Sequence, residues 1–226
     1  MKIIALIPYW SDYAFPENSL QKRDTLNLGG QSLMDYIINT LGNVERINTT
    51  IIFSSSKQVE NDLRPSKKLK FLERSKDLDN LAISIEDIIE NFLDNYDADI
   101  VVLVHPRCPF LKAETINNCI QKVTDDGFDS CFIVSKEKKL AWFNGKPLNY
   151  SLNESTPNLK ELEPVILETS SLYVFSRKLF QKTRSRVGGK SYMYDVGNFE
   201  GFEVNRKEDF EMAELIINSG LDKLRK

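Results

Sequence analysis

A long loop between a predicted strand and a predicted helix, residues 8–30, carries the side chains best suited to bind phosphate. A connection of more than twenty residues is unusual in a compact domain and is commonly functional. The hydroxyl, amide and cationic groups in it are Ser11, Asn18, Ser19, Lys22 and Arg23. Together they could surround a phosphate chain if the loop folds over it. The alternative is a solvated surface loop.

A second candidate lies in the turn that follows the most apolar predicted strand. His105 is the only histidine of the chain. At the end of a strand it either caps the backbone or bonds a base or sugar. Arg107 stands between Pro106 and Pro109. A guanidinium in such a turn predicts anion binding, with a surface salt bridge as the alternative.

Composition limits the class of partner. The 226 residues include 30 basic and 33 acidic side chains, a formal net charge of -3, which disfavours nucleic acid or an anionic membrane as the main partner. The three cysteines, Cys108, Cys119 and Cys131, have no CxxC spacing and predict reduced thiols rather than a zinc site. No stretch approaches the roughly 20 apolar residues of a membrane span, and Pro8 interrupts the first apolar run. We therefore expect a cytoplasmic protein.

Strands and helices alternate along the chain, which predicts an α/β fold with a mostly parallel central sheet and helices on both faces. The predicted strands are 2–7, 49–54, 99–104, 129–134, 172–175 and 202–204, with 99–104 at the centre of the sheet. The predicted helices begin at Ser32, as N-cap, and cover 83–93, 113–123 and 209–219. In such sheets ligands bind at the carboxyl ends of the strands. That rule selects segments 8–30, 54–80, 105–112 and 205–207.

We expect one domain, residues 1–226, with an inserted arm at about 141–164. The arm lacks helical periodicity and contains Trp142, Phe143 and Tyr150. It cannot bury these rings against itself, and two-fold pairs are the commonest closed assemblies. The sequence therefore predicts a homodimer in which the arms cross.

Six stretches resemble, in order and spacing, the cytidylyltransferases that make CMP-sialic acid and related CMP-sugar acids. They are IALIPYW, LGGQSLMDYII, HPRCPFLKAETINNCI, FNGKPLNY, ELEPVILETSSLYVFSRKLF and RSRVGGKSYMYDVGNFEGFEVNRKEDFEMAE. The resemblance covers essentially the whole chain. It implies a Rossmann-like nucleotidyltransferase fold and transfer of CMP from CTP to a sialic-acid-like sugar acid, with release of pyrophosphate. Such a catalyst mainly neutralises a polyanion and holds the attacking hydroxyl in line.

The same resemblance implies a nucleotide site with altered residues. Trp10 stands where the family has an arginine in the first loop, and Lys22 and Arg23 stand near the family's loop lysine. The resemblance implies that Lys22 and Arg23 supply the positive charge for catalysis. The alternative is that both are exposed side chains of a surface loop without a catalytic role. The implied nucleotide-binding residues are Pro8, Tyr9, Trp10, Ser11, Asn80, Ser84, His105 and Arg107.

The resemblance further implies a sugar-acid pocket or subunit contact at Glu168, Arg184 and Arg186. Glu203 and Asn205 stand where the family has two aspartates, on one face of a predicted strand. Glu203 would then be catalytic, and both would hold Mg²⁺ in a weaker, displaced site. Polar ends of an edge strand are the alternative.

Three functional hypotheses follow. The first is an active cytidylyltransferase of altered substrate range. The second is a catalytically impaired nucleotide- or sugar-binding homologue that acts as a partner or regulatory subunit. The third is a protein of this fold with an unrelated substrate, since fold does not fix function.

Overall fold

A computed structural model describes residues 1–10, 27–62, 68–80 and 82–222. The strands within these ranges are β1 (Ile3–Tyr9), β2 (Asn27–Leu28), β3 (Gln31–Ser32), β4 (Thr49–Ser54), β5 (Leu69–Glu73), β6 (Ile100–Val104), β7 (Ser130–Glu137), β8 (Trp142–Phe143), β9 (Lys146–Pro147), β10 (Val165–Ser176) and β11 (Ser191–Asp195). The helices are α1 (Leu33–Gly42), α2 (Gln58–Asp62), α3 (Ile85–Asn95), α4 (Ala113–Thr124), α5 (Arg177–Thr183), α6 (Gly197–Glu200) and α7 (Lys207–Asn218). A 3-10 helix covers Lys76–Asp79.

Seven strands form the central sheet in the order β11-β7-β10-β6-β1-β4-β5. All of them run in one direction except β10, which pairs antiparallel with both β6 and β7. The predicted α/β fold with a mostly parallel sheet is therefore confirmed. The prediction that the strand at 99–104 is central is confirmed too, because β6 is the fourth of the seven strands.

Both faces of the sheet are covered, which explains why β1 and β6 are continuously apolar rather than alternating. Ala5, Ile7 and Val102 face α1 and α4 on one side of the sheet. Leu6 and Leu103 face α3 and α5 on the other. Helix α7 belongs to a third, smaller cluster. Its buried residue Ala213 packs there with Leu28, Leu33, Phe110 and Val204.

Side-chain caps fix where two of the helices begin. Ser32 is the N-cap of α1, as predicted, and its hydroxyl accepts from the Asp35 N–H at 3.0 Å. Ser84 caps α3 in the same way by accepting from the Asp87 N–H at 3.2 Å. In both helices the aspartate three residues after the N-cap, Asp35 or Asp87, accepts a hydrogen bond from the backbone N–H of the N-cap serine. This reciprocal bond completes a capping box.

The structure corrects several predicted boundaries. The segment 202–204 is not a strand, because the Val204 N–H donates to Arg107 O, a loop carbonyl, at 2.8 Å. Strand β1 continues through Pro8 to Tyr9 because both residues still pair with β4. Strand β10 begins at Val165 rather than 172 because its first residues pair with β7. Strands β5 and β11 were not predicted.

The arm at 141–164 leaves the sheet between β7 and β10. Its β8–β9 hairpin turns through Asn144 (φ 48°) and Gly145 (φ 74°), and two successive positive φ angles are the conformation that an Asn-Gly turn favours. The rest of the arm is irregular. None of the helices in the described ranges is both long and apolar enough to span a membrane.

Candidate active site at the carboxyl edge of the sheet

The reversed strand β10 brings its first half to the edge where the parallel strands end. Leu172 pairs with Val104, the last residue of β6. The next pair also meets: the N–H of His105, which follows Val104, donates to the carbonyl of Ser171, which precedes Leu172, at 3.0 Å. Residues of β10 therefore meet the turn after β6, which is where ligands bind in sheets of this kind.

Glu203 is fixed at this edge by groups of β10. Its Oε1 atom accepts from the Ser170 N–H at 2.9 Å and from the Ser171 hydroxyl at 3.0 Å. Its neighbour Val204 is fully buried, which anchors the extended segment that carries both Glu203 and Asn205. Two protein donors on one oxygen restrict the orientation of the carboxylate.

Asn205 lies beside that carboxylate. Its Nδ2 atom is 3.3 Å from Glu203 Oε2, so the two side chains predicted to face the same way do meet, although not on a strand. The Asn205 N–H donates to Asp209 Oδ2 at 3.0 Å, which links the segment to the first turn of α7.

These two residues form an oxygen donor set that fits Mg²⁺ in part. Glu203 Oε1 is already occupied by two hydrogen bonds, whereas Oε2 has, among the described residues, only the long contact from Asn205. Within the described part of the chain, no group of three or more His, Cys, Asp or Glu side chains could hold a metal ion. Any cation here would therefore depend on substrate oxygens, as Mg²⁺ commonly does at phosphate sites.

A buried thiol completes the hydrogen-bond chain behind Glu203. Cys108 Sγ donates to Ser171 Oγ at 3.0 Å, and both residues are almost entirely buried. Burial raises the pKa of the Cys108 thiol to about 12, and the nearby Glu203 and Glu200 charges act in the same direction. The Ser171 hydrogen bond and the Arg107 charge oppose this rise in pKa. The Arg107 turn also adjoins the segment that carries Glu203, because the Val204 N–H donates to Arg107 O.

Aromatic groups occupy the end of β1. The rings of Trp10 and His105 are nearly parallel, with 16° between their planes and 6.4 Å between their centroids. The Arg74 guanidinium carbon lies 5.5 Å from the centroid of the Trp10 ring. The structure therefore brings together Trp10 and His105, two of the predicted nucleotide-binding residues, and places the Arg74 guanidinium beside Trp10.

Arg74 was not predicted as a site residue. Its side chain is fully buried, and it donates to Tyr9 O at 3.0 Å and to Phe53 O at 3.3 Å. Asp79 Oδ1 is 2.8 Å from Arg74 Nη2 in an ion pair, whereas Arg74 Nη1 has no hydrogen-bond partner among the described residues. Burial lowers the pKa of Arg74, and Asp79 opposes that effect. Arg74 lies within segment 54–80, which the sequence selected as facing ligand, and that is the signal that could have identified it.

Asn80 and Ser84 are both engaged in local structure. Asn80 Oδ1 accepts from the Ala82 N–H at 3.0 Å, and Ser84 is the cap of α3. The Ser84 hydroxyl also donates to Asp87 Oδ2 at 2.6 Å. Their backbone positions remain at the carboxyl edge, between β5 and α3.

Glu168 and Arg186 meet at one ring, that of Tyr173. The Tyr173 hydroxyl donates to Glu168 Oε1, and the Arg186 guanidinium lies 4.4 Å from the ring centroid. Burial and the Glu168 hydrogen bond raise the pKa of Tyr173 to about 12. Arg186 also pairs with Glu86 of α3 at 2.5 Å, which closes this group, called here the Tyr173 cluster.

The remaining predicted residues lie apart from that cluster or outside the described ranges. Arg184 binds Asp87 Oδ1 at 2.5 Å and Glu90 Oε2 at 2.8 Å along α3. Pro8 and Tyr9 are buried in β1. Ser11, Lys22 and Arg23 lie outside the described residues.

Two solved structures share this fold over nearly the whole chain. A CMP:2-keto-3-deoxy-manno-octonic acid synthetase complexed with CTP is 13% identical, with a TM-score of 0.71 over 97% of this chain and 99% of that chain. A 4-diphosphocytidyl-2C-methyl-D-erythritol synthase from Anaerococcus prevotii is 14% identical, with a TM-score of 0.67 over 96% of each chain. At such low identity these likenesses establish the fold and not the reaction.

The sequence itself provides the family. No functionally curated protein matches the chain significantly. The profile of a family described as Cytidylyltransferase matches residues 20–139, which is more than half of the 226 residues. The matched part includes β4, β5 and β6 together with the turn at His105 and Arg107. The chain belongs to the cytidylyltransferase family.

Proposed function

We propose that this protein transfers CMP from CTP to a sugar acid of the sialic-acid type. A hydroxyl oxygen of the sugar acid attacks the α-phosphorus of CTP and forms a new phosphorus–oxygen bond. The bond to the β-phosphate oxygen breaks, pyrophosphate leaves, and the hydroxyl proton passes to solvent. Family membership supports the nucleotide part, and a structural neighbour that is a sugar-acid synthetase complexed with CTP supports the sugar-acid part.

The observation that carries the proposal is the position of Glu203. A carboxylate with one oxygen fixed by Ser170 and Ser171 lies where the carboxyl end of β6 meets the middle of β10. Such a group is suited to orient a cation and a phosphate chain before reaction, and preorganised charge is the main source of catalysis in phosphoryl transfer.

Glu203 and Asn205 are the residues that would hold Mg²⁺, together with phosphate oxygens of the substrate. When bound, the ion would neutralise charge that develops on the phosphates. Of the chain's own cations, we propose that Lys22, Arg23 and Arg107 contact the phosphates. Trp10 and His105 would border the nucleoside, with Arg74 beneath Trp10.

The Tyr173 cluster is the proposed site for the sugar acid. The Arg186 guanidinium can donate to the carboxylate of the sugar acid while its face rests on Tyr173, and a guanidinium binds carboxylates better than lysine does. Glu168 would accept from sugar hydroxyls. Glu168 lies three residues after Val165, where β10 begins and the arm ends.

The arm is the proposed homodimer interface. It exposes large apolar side chains that a monomer would leave in water, above all Trp142 at 55% and Phe143 at 67% exposure. Leu148 of the arm and Ile166 and Leu167 of β10 are also exposed apolar side chains. A two-fold pair would cover these side chains on both copies at once.

The decisive experiment measures pyrophosphate release from CTP and Mg²⁺ with N-acetylneuraminic acid or 3-deoxy-manno-octulosonic acid as acceptor. We expect release with one sugar acid, none without acceptor, and a loss of at least about 100-fold for Glu203→Gln, the order of loss when one charge-stabilising group is removed. Release that is equal with and without Glu203 would contradict the assignment.

A specific observation favours a second candidate, the catalytically impaired binding homologue. Ser84 and Asn80, expected at the nucleoside, are committed to a helix cap and a turn, and the family resemblance puts Trp10 where an arginine would stand. If CTP raises the melting temperature but no sugar acid yields pyrophosphate, this candidate stands and the enzyme proposal fails.

A further inference from the structure

Ser171 is the side chain that connects the proposed cation ligand to the core. It is fully buried in the middle of β10, between β7 and β6. Its hydroxyl lies 3.0 Å from Glu203 Oε1. Its backbone carbonyl accepts from the His105 N–H at 3.0 Å. One residue thus contacts both the turn after β6 and the segment before α7.

The direction of the hydrogen bonds follows from their chemistry. A hydroxyl has one proton to donate and two lone pairs to accept with. Cys108 donates its thiol proton to Ser171 Oγ, so the hydroxyl proton is directed to the Glu203 carboxylate, which only accepts when ionised. The Ser170 N–H supplies the second bond to the same oxygen.

The result is an asymmetric carboxylate. Glu203 Oε1 is held by two protein donors, whereas within the part of the chain that the structure describes Oε2 meets only Asn205 Nδ2, at 3.3 Å. Glutamate has one more rotatable bond than aspartate, so a fixed oxygen matters more for its geometry. Without Ser171 only one donor would remain on Oε1.

We propose that Ser171 is a positioning residue that orients Glu203, so that Oε2 alone is presented to the divalent cation of the CTP complex. This inference rests on the proposed function, since the cation is expected with the nucleotide. Loss of a residue that orients a metal ligand typically weakens metal affinity about 10- to 100-fold.

The test compares Ser171→Ala with a matched loss of another buried serine hydroxyl, Ser130→Ala. Ser130 is also fully buried, at the start of β7, where it contacts Asp129 and Gly188 away from Glu203. Binding of Mn²⁺ to the full chain with saturating CTP is measured from the electron paramagnetic resonance signal of free Mn²⁺. Pyrophosphate release is measured against Mg²⁺ concentration in parallel.

We expect Ser171→Ala to raise the Mn²⁺ dissociation constant about tenfold or more. Ser171→Thr, which keeps the hydroxyl, should restore it to within about threefold, the usual spread of such effects. Ser130→Ala should lower the melting temperature without changing Mn²⁺ affinity. An unchanged dissociation constant in Ser171→Ala, or equal effects of both alanine variants, overturns the proposal.

The two proposals fail in distinguishable ways. If the wild type binds Mn²⁺ with CTP but releases no pyrophosphate, the enzyme proposal fails, while the Ser171 comparison remains decisive on the dissociation constant. If the wild type binds CTP without Mn²⁺, the positioning proposal is overturned.

Discussion

Arg74 Nη2 lies 2.8 Å from Asp79 Oδ1, and the Arg74 side chain is fully shielded from solvent while 18% of Asp79 is exposed. The pair joins the first residues after β5 to the end of β1, because Arg74 also donates to Tyr9 O. The guanidinium therefore supports the floor of the proposed nucleotide site.

We expect Asp79→Asn to lower the free energy of unfolding by about 3 kcal/mol, because it leaves a buried cation without its anion. Asp77→Asn, an exposed change in the same 3-10 helix, is the matched control and should change it by less than about 0.5 kcal/mol. Urea denaturation of both variants measures the difference. Equal, small effects would show that Arg74 does not depend on Asp79.

Asn205→Asp should make the stability of the protein depend on magnesium. It places a second carboxylate about 3.3 Å from Glu203 Oε2, where the amide now donates, and two like charges at such a distance repel by about 1 kcal/mol even in water. We expect a lower melting temperature without Mg²⁺ and a larger rise with Mg²⁺ and CTP than in the wild type. Asn158→Asp, in the arm, should not acquire this dependence.

The arm should control assembly. Trp142→Ser with Phe143→Ser removes two rings that are more than half exposed, and we expect a monomer in sedimentation at micromolar concentration. Leu215→Ser on α7 removes a side chain of similar exposure, 65%, and should leave the dimer intact. A wild-type monomer would remove the basis of this interface.

Asp87 should contribute to acid sensitivity. The Ser84 hydroxyl and N–H donate to its carboxylate, and with the Arg184 charge they lower the pKa of Asp87 below its ordinary 3.8. A folded-state pKa below the unfolded value stabilises the fold above about pH 4, and this contribution is lost as the pH falls through the folded-state pKa.

Asp87→Asn should therefore melt below the wild type at pH 7, and the gap should narrow as the pH falls below 4. Melting temperatures across the acidic range, with Asp94→Asn on the same helix for comparison, test this expectation. A constant gap at all pH values would show that the carboxylate charge is not what stabilises the α3 cap.

The elements that could be predicted from sequence are those with continuous apolar runs or capping residues. Strand β6 was placed at the centre because all five of its residues are apolar, and α1 was placed at Ser32 because serine is a good N-cap. Strand β11 was missed because its alternating Tyr192 and Tyr194 lie in a polar context at the sheet edge.

The site was predicted only in part, for a physical reason. The juxtaposition of Glu203 and Asn205 follows from local chain geometry, since alternate side chains of an extended segment share a side. The contacts of Arg74 with Tyr9 and of Ser171 with Glu203 join residues that are 65 and 32 positions apart. No local pattern encodes such pairs; they depend on strand order.

The reversal of β10 joins the arm and the Glu203-binding Ser171 through one continuous strand. Val165, where the arm ends, and Ser171, which contacts Glu203, are six residues apart on the same backbone. The pairing of β10 with β7 shifts register between Glu168 and Tyr173, so Ser171 lies in the irregular stretch of the strand that leads from the arm to the centre of the sheet.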